Sequence, residues 1–66
     1  MGYRKGDRVT ANQQLFGMNV PIVPTGATGT VVKTTLLGRP KVVAFAVSTA
    51  AGEERFDVEV DDGDVG

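Results

Sequence analysis

Residues 24–33 place two glycines, Gly26 and Gly29, directly before the β-branched run Thr-Val-Val at residues 30–32. Glycine has no Cβ, so it tolerates a positive φ or the close approach of a second backbone, and it marks tight turns and bulges. The β-branched run packs well on a pleated surface and favours a strand. We therefore expect a turn that leads into a strand, with the rest of the chain pairing on that strand.

Alternation of apolar and polar residues predicts four strands and no helix. The last strand is the clearest, because Phe56, Val58 and Val60 alternate with charged residues, which indicates one face in the core and one in water. The third strand is the most apolar, and its second face carries valine and alanine, so we expect that face to be covered by the long loop or by another subunit. The predicted strands cover residues 8–11, 28–35, 41–48 and 54–60.

The connection between the first two strands, residues 12–24, is apolar, whereas most surface loops are polar. It contains Leu15, Phe16 and Met18, and its two prolines forbid a helix interior and a central strand. Residues 20–23 are compatible with a brief edge strand. Two interpretations stay open: these side chains plug the end of a small barrel, or they remain exposed and bind a partner.

Composition excludes several classes of site. The chain has 66 residues, which predicts a single domain spanning residues 1–66, and it contains neither cysteine nor histidine. Disulfides, cysteine-based zinc sites and the commonest nucleophile and base arrangements are therefore excluded, and we expect no enzyme activity and no cofactor. The carboxylates at residues 57–64 lack the twelve-residue calcium loop with its closing glutamate, so we expect no metal site. The sequence has no apolar run of roughly 18 residues, and we expect a cytoplasmic protein that does not enter a membrane.

Charge is distributed unevenly along the chain. Residues 1–52 carry a formal charge of +5, whereas residues 53–66 carry −6, within a net charge of −1. Such asymmetry can steer a charged partner, and nucleic acid is one such partner. Alternatively, the acidic end folds back beside the basic residues and neutralises them.

Several short motifs resemble those of SH3-like small barrels. They are Gly-Asp-Arg-Val at residues 6–9, Gly26-x-x-Gly29-x-Val31, Val43-x-Phe45 and Phe56-x-Val58. The pattern is similar to KOW-type barrels of ribosomal proteins and transcription elongation factors. It is similar also to the barrels of the photosystem I peripheral subunit and of the nitrile hydratase β-subunit. The resemblance implies an all-β fold, a small SH3-like barrel of four to five antiparallel strands with a long apolar loop after strand 1. The chain departs from the pattern because no clear fifth strand follows Val60, so either a vestigial strand near Val65 or another segment completes the barrel.

These features together predict a protein-interaction module, an accessory or regulatory subunit that docks on another protein or on a second copy of itself. Leucines in the 36–40 loop each forgo about 2 kcal/mol of burial while they face water, which makes them candidate contacts. The predicted partner-binding residues are Leu15, Phe16, Met18, Leu36 and Leu37, with Asp57 and Glu59 as a polar rim. The alternative is a KOW-like nucleic-acid-binding barrel that uses Arg4, Lys5, Arg8, Lys33, Arg39 and Lys41.

Overall fold

A computed structural model describes residues 2–17, 20–61 and 63–66, with the backbone alone at residues 20 and 21. In this part of the chain every strand pairing is antiparallel and no residue lies in a helix, which confirms the predicted all-β class. The strands are β1 (Arg8–Thr10), β2 (Leu15–Gly17), β3 (Val20–Val23), β4 (Thr28–Thr34), β5 (Pro40–Thr49) and β6 (Gly52–Glu59).

Strands β1, β4, β5 and β6 form one sheet in the order β1-β4-β5-β6. They correspond to the four predicted strands, with ends that differ by one or two residues. The β5–β6 hairpin is longer than predicted, because Thr49 pairs with Gly52 across a turn of two residues. Gly52 has a φ of 111°, which a residue with a side chain rarely adopts.

Strands β2 and β3 form a separate two-stranded sheet, in which Leu15 lies opposite Val23. The edge strand at residues 20–23 was predicted, but β2 was not, and the described strands number six rather than four to five. A proline inside β3 lacks the N–H that a central strand must donate, which is compatible with a short ladder apart from the main sheet.

The two sheets are not joined by a continuous ladder of the described strands, so the predicted barrel is not closed in that sense. The end of the chain instead returns to β1 through one bridge, in which Ala11 pairs with Val65. Two backbone hydrogen bonds join Thr10 and Gly66, at 2.8 and 2.9 Å. The expected fifth strand is therefore reduced to a bridge, and the buried side chain of Val65 belongs to the core.

The core lies between the two sheets and is built mainly from valines around Phe45. Gly29 lies so close to β5 that a Cβ there would meet Val43 Cγ1 at 2.5 Å. Gly26 has a φ of 89°, so both glycines of the central motif serve the turn and the close approach that the sequence predicted.

The buried side chains described in the long connection pack on the inner face of β5. Leu15 and Val23 pack into the core beside the inner side chains of β5. On the outer face Ala44 is buried, Val42 is half-buried and Ala46 is exposed. The expectation that the long loop or another subunit covers this outer face therefore stays a prediction.

Candidate protein-interaction surface

The connection between β4 and β5 is a turn held by its own hydrogen bonds. The Thr35 N–H donates to the Arg39 carbonyl at 2.8 Å, and the Gly38 N–H donates to the Thr35 carbonyl at 3.0 Å. The Arg39 N–H donates in addition to Thr35 Oγ1 at 3.2 Å. Gly38 has a φ of 77°, and its carbonyl accepts a hydrogen bond from the Tyr3 N–H, which ties the turn to the first residues of the chain. Hydrogen bonds within the turn and one from Tyr3 therefore hold the backbone of this turn in place.

This turn presents two large apolar side chains to solvent. Leu36 is fully exposed and Leu37 is 80% exposed. We call these two residues the apolar tip. Single exposed apolar residues are ordinary on protein surfaces, but two adjacent leucines on a hydrogen-bonded turn form a local apolar contact area.

A second apolar area lies on the β2–β3 hairpin. Side chains alternate across strands, so Phe16 and Ile22 project away from the core into which Leu15 and Val23 point. Phe16 is 69% exposed and Ile22 is 53% exposed. We call Phe16 and Ile22 the hairpin patch. Ile22 was not among the predicted contact residues, because only the pairing of β2 with β3 shows that it faces away from the core.

One of the predicted contact residues, Leu15, does not contribute to these surfaces. Leu15 is only 5% exposed and packs in the core, so the prediction that it contacts a partner is wrong. Its inward direction follows from its pairing with Val23, which the sequence did not show. Met18 lies outside the described residues.

All the basic residues of the nucleic-acid alternative are exposed: Arg4, Lys5, Arg8, Lys33, Arg39 and Lys41. Backbone hydrogen bonds from Tyr3 to Gly38 and from Gly6 to Val31 flank Arg4 and Lys5, and they hold that segment beside β4 and its turn. Arg8 lies farther along β4, opposite Thr30. The fold thus brings cations from the start of the chain next to those of the β4–β5 hairpin.

A groove of about 710 Å³ lies where the β4–β5 hairpin meets the segment after β6. The Val60 N–H donates to the Lys41 carbonyl at 2.9 Å and joins these two segments. Pro40 and Val60 line the groove although both are mostly buried, and the exposed Leu36 of the apolar tip lines it as well. The charged lining residues are Arg39, Lys41 and Asp61.

The acidic end of the chain packs mainly beside polar residues. Asp64 Oδ1 accepts a hydrogen bond from Gln13 Nε2 at 2.7 Å, and the Asn12 N–H donates to the Asp64 carbonyl at 2.8 Å. Asp61 shares the groove with two cations. Among the described acidic residues of the terminal turn, only Asp61 thus lines the same groove as basic side chains.

The described side chains do not bring together three or more aspartate, glutamate, histidine or cysteine residues that could hold a metal ion. None of the described segments is a helix with the length and hydropathy of a membrane crossing. Comparison of the chain with protein-family models, with curated proteins and with solved structures gives no match.

Proposed function

We propose that this protein is a non-catalytic interaction module, an accessory or regulatory subunit that docks on a protein partner through the apolar tip. The observation that carries the proposal is the exposure of Leu36 and Leu37 on a turn fixed by internal hydrogen bonds. Binding to a preordered turn costs less conformational entropy than binding to a mobile loop. A partner that covers both leucines recovers about 2 kcal/mol for each side chain removed from water.

The hairpin patch is a second contact area in this proposal. Aromatic side chains are enriched among the residues that dominate binding energy, and Phe16 is the most exposed aromatic residue of the described chain. Asp57 and Glu59 are exposed on β6 and serve as polar residues around the apolar contacts. The partner is another protein or a second copy of this chain.

We also propose that the architecture is SH3-like. Three features support it. The first two are the strand order β1-β4-β5-β6 and the return of Val65 to Ala11 at the end of the chain. The third is the β2–β3 hairpin between the first two strands of the main sheet. Because one fold serves many functions, the docking proposal rests on the exposed residues and not on this likeness.

Selection from a random peptide library tests the docking proposal, with the wild-type protein and two matched double variants as bait. One variant carries Leu36→Ser and Leu37→Ser, and the other carries Phe16→Ser and Ile22→Ser. We expect the wild type to enrich peptides of shared sequence and the apolar-tip variant to lose them. The hairpin-patch variant shows which of the two areas is the primary contact. If this variant still enriches the same peptides, the primary contact is the apolar tip.

Light scattering over a range of concentrations tests self-association in the same three proteins. A mass that is a multiple of 6.9 kDa in the wild type, and 6.9 kDa in the apolar-tip variant, would identify a second copy as the partner. A constant monomer mass with no enriched peptide would contradict the docking proposal.

The nucleic-acid alternative is favoured by one observation, the alignment of Arg4 and Lys5 beside the hairpin that carries Lys33 and Lys41. Contacts to phosphates release counterions, so binding to an oligonucleotide should weaken steeply as salt rises. Fluorescence anisotropy with labelled single-stranded and double-stranded oligonucleotides measures this dependence. If the alternative is correct, a double variant with Lys33→Glu and Lys41→Glu should lose oligonucleotide binding. If the docking proposal is correct, the peptides selected from the library should still require Leu36 and Leu37.

A further inference from the structure

The groove beside the apolar tip is lined by both apolar and charged side chains. Pro40 and Val60 are buried, and they reach the groove from two segments that are joined by the Val60–Lys41 backbone hydrogen bond. The volume of about 710 Å³ lies within the roughly 300–1,000 Å³ range of ligand sites. An apolar side chain in the groove would contact the fully exposed Leu36 and the small exposed parts of Pro40 and Val60.

The charges around the groove favour an anionic ligand. Lys41 is exposed and lines the groove, and Lys33 lies on β4 opposite Val42, the neighbour of Lys41 in β5. Arg4 and Lys5 are held beside the same hairpin by backbone hydrogen bonds. Arg39 also lines the groove, but it has an interaction partner within the protein, so the argument rests on Lys41.

The carboxylates near the groove restrict where a negative charge can sit. Asp61 lines the groove and repels an acidic group on its side, while Asp7 accepts a hydrogen bond from the Arg4 N–H at 2.9 Å. Glu59 lies opposite Val42 on the outer face of the sheet. Lys41 is consequently the position at which a ligand carboxylate meets a cation within the groove.

We propose that this groove binds an acidic peptide segment of the partner, with an apolar side chain against Pro40 and Val60 and a neighbouring carboxylate against Lys41. This proposal rests on the proposed function of the apolar tip and names the chemistry of its ligand. A peptide fits better than a nucleic-acid strand because Pro40, Val60 and Leu36 offer aliphatic surface, whereas single strands bind on aromatic side chains.

The experiment uses three labelled peptides that share a central leucine and differ only in the flanking residues, which are glutamate, glutamine or lysine. Affinity is measured by anisotropy for the wild type, for Lys41→Glu and for Arg55→Glu. Arg55 is an exposed arginine on β6 opposite Ala46, outside the groove, so its reversal is a matched control for the change in net charge. Thermal unfolding followed by circular dichroism establishes that all three proteins are folded.

We expect the glutamate peptide to bind most tightly and the lysine peptide most weakly. Exposed charge pairs contribute up to about 1 kcal/mol, so Lys41→Glu should weaken the glutamate peptide roughly fivefold. The same substitution should leave the glutamine peptide nearly unchanged, and Arg55→Glu should have a much smaller effect on both. The charge preference should also shrink at high salt, because the groove is open to solvent.

The outcomes separate this proposal from the proposed function. Binding of the three peptides with equal affinity, or equal effects of Lys41→Glu and Arg55→Glu, overturns the acidic ligand and leaves the apolar tip as a docking site. Tighter binding of a labelled oligonucleotide than of the glutamate peptide, with the same dependence on Lys41, also overturns it in favour of the nucleic-acid alternative. Failure of every peptide here and in the library selection overturns this proposal, and a constant monomer mass in light scattering would then refute the proposed function as well.

Discussion

The substitution Gly29→Ala tests the packing of the central turn against β5. A Cβ built on Gly29 would lie 2.5 Å from Val43 Cγ1, 2.8 Å from Phe45 Cδ1 and 2.9 Å from the Ala44 carbonyl oxygen. The two side chains belong to fully buried residues and the third atom belongs to the backbone, so none of them can retreat easily. The φ of Gly29 lies outside the left-handed region, so the whole penalty is steric.

The magnitude follows from the cost of overpacking. An extra methyl group in a packed core destabilises by about 1–3 kcal/mol, and we expect the upper part of this range because three atoms are contacted at once. A chain of this length has a total stability of about 3–10 kcal/mol, at 0.05–0.15 kcal/mol per residue. The loss should lower the melting temperature by about 10–20 °C, and urea unfolding gives the change in free energy directly.

Gly26→Ala is the matched control, because a Cβ there meets nothing within 4 Å and only its positive φ of 89° is unfavourable. That strain costs about 1 kcal/mol, less than the expected cost at Gly29. Val43→Ala removes the nearest obstacle, so combined with Gly29→Ala it should destabilise by less than the sum of the two single changes. Equal stability of Gly29→Ala and wild type, or a smaller loss than for Gly26→Ala, would refute the pairing of β4 with β5.

Four further substitutions test other parts of the account. Leu15→Ala should cost about 2–4 kcal/mol in urea unfolding, whereas Phe16→Ala should change stability by less than about 0.5 kcal/mol; equal effects would contradict the assignment of one to the core and one to the surface. Val65→Ala should cost about 1–3 kcal/mol and accelerate hydrogen exchange in β1, and unchanged exchange would mean that the terminal bridge does not hold that strand. Thr35→Val removes the side-chain acceptor of the Arg39 N–H, so it should cost about 1 kcal/mol and weaken peptide binding; unchanged exchange at the Arg39 amide would show that the hydroxyl does not fix the turn.

The strands of the main sheet could be predicted because each has one face in the core. Val31, Phe45 and Val58 are buried. The two neighbours of Val31 are half-buried and those of Val58 are exposed, whereas on β5 one neighbour of Phe45 is buried and the other is exposed. Alternation within a single segment is enough to find such strands. The turns could be predicted for a related reason, since Gly26 and Gly52 adopt positive φ angles.

The sequence could not show which side chains of the long connection face the core and which face solvent. Leu15 and Phe16 are adjacent and both apolar, so only the pairing of β2 with β3 decides which of them is buried. A pairing between short strands interrupted by proline leaves little periodic signal. Ile22 was missed for the same reason, and Leu15 was assigned to the wrong side.

The groove could not be predicted either, because residues distant in sequence form it. Pro40 and Val60 are twenty positions apart in the chain, and their proximity follows from the register of β5 with β6. The exposed leucines of the turn were predictable from one segment. Their position beside a groove lined by Lys41 was not.

The most direct test of the account is a nuclear magnetic resonance titration of isotope-labelled protein with the tightest peptide from the library. The account predicts that the largest amide shift changes fall on residues 35–41 and on Val60 and Asp61. It also predicts that the changes disappear in the variant with Leu36→Ser and Leu37→Ser. Shift changes centred on the outer face of β6, or changes that persist in that variant, would contradict the claim that the apolar tip is the docking site.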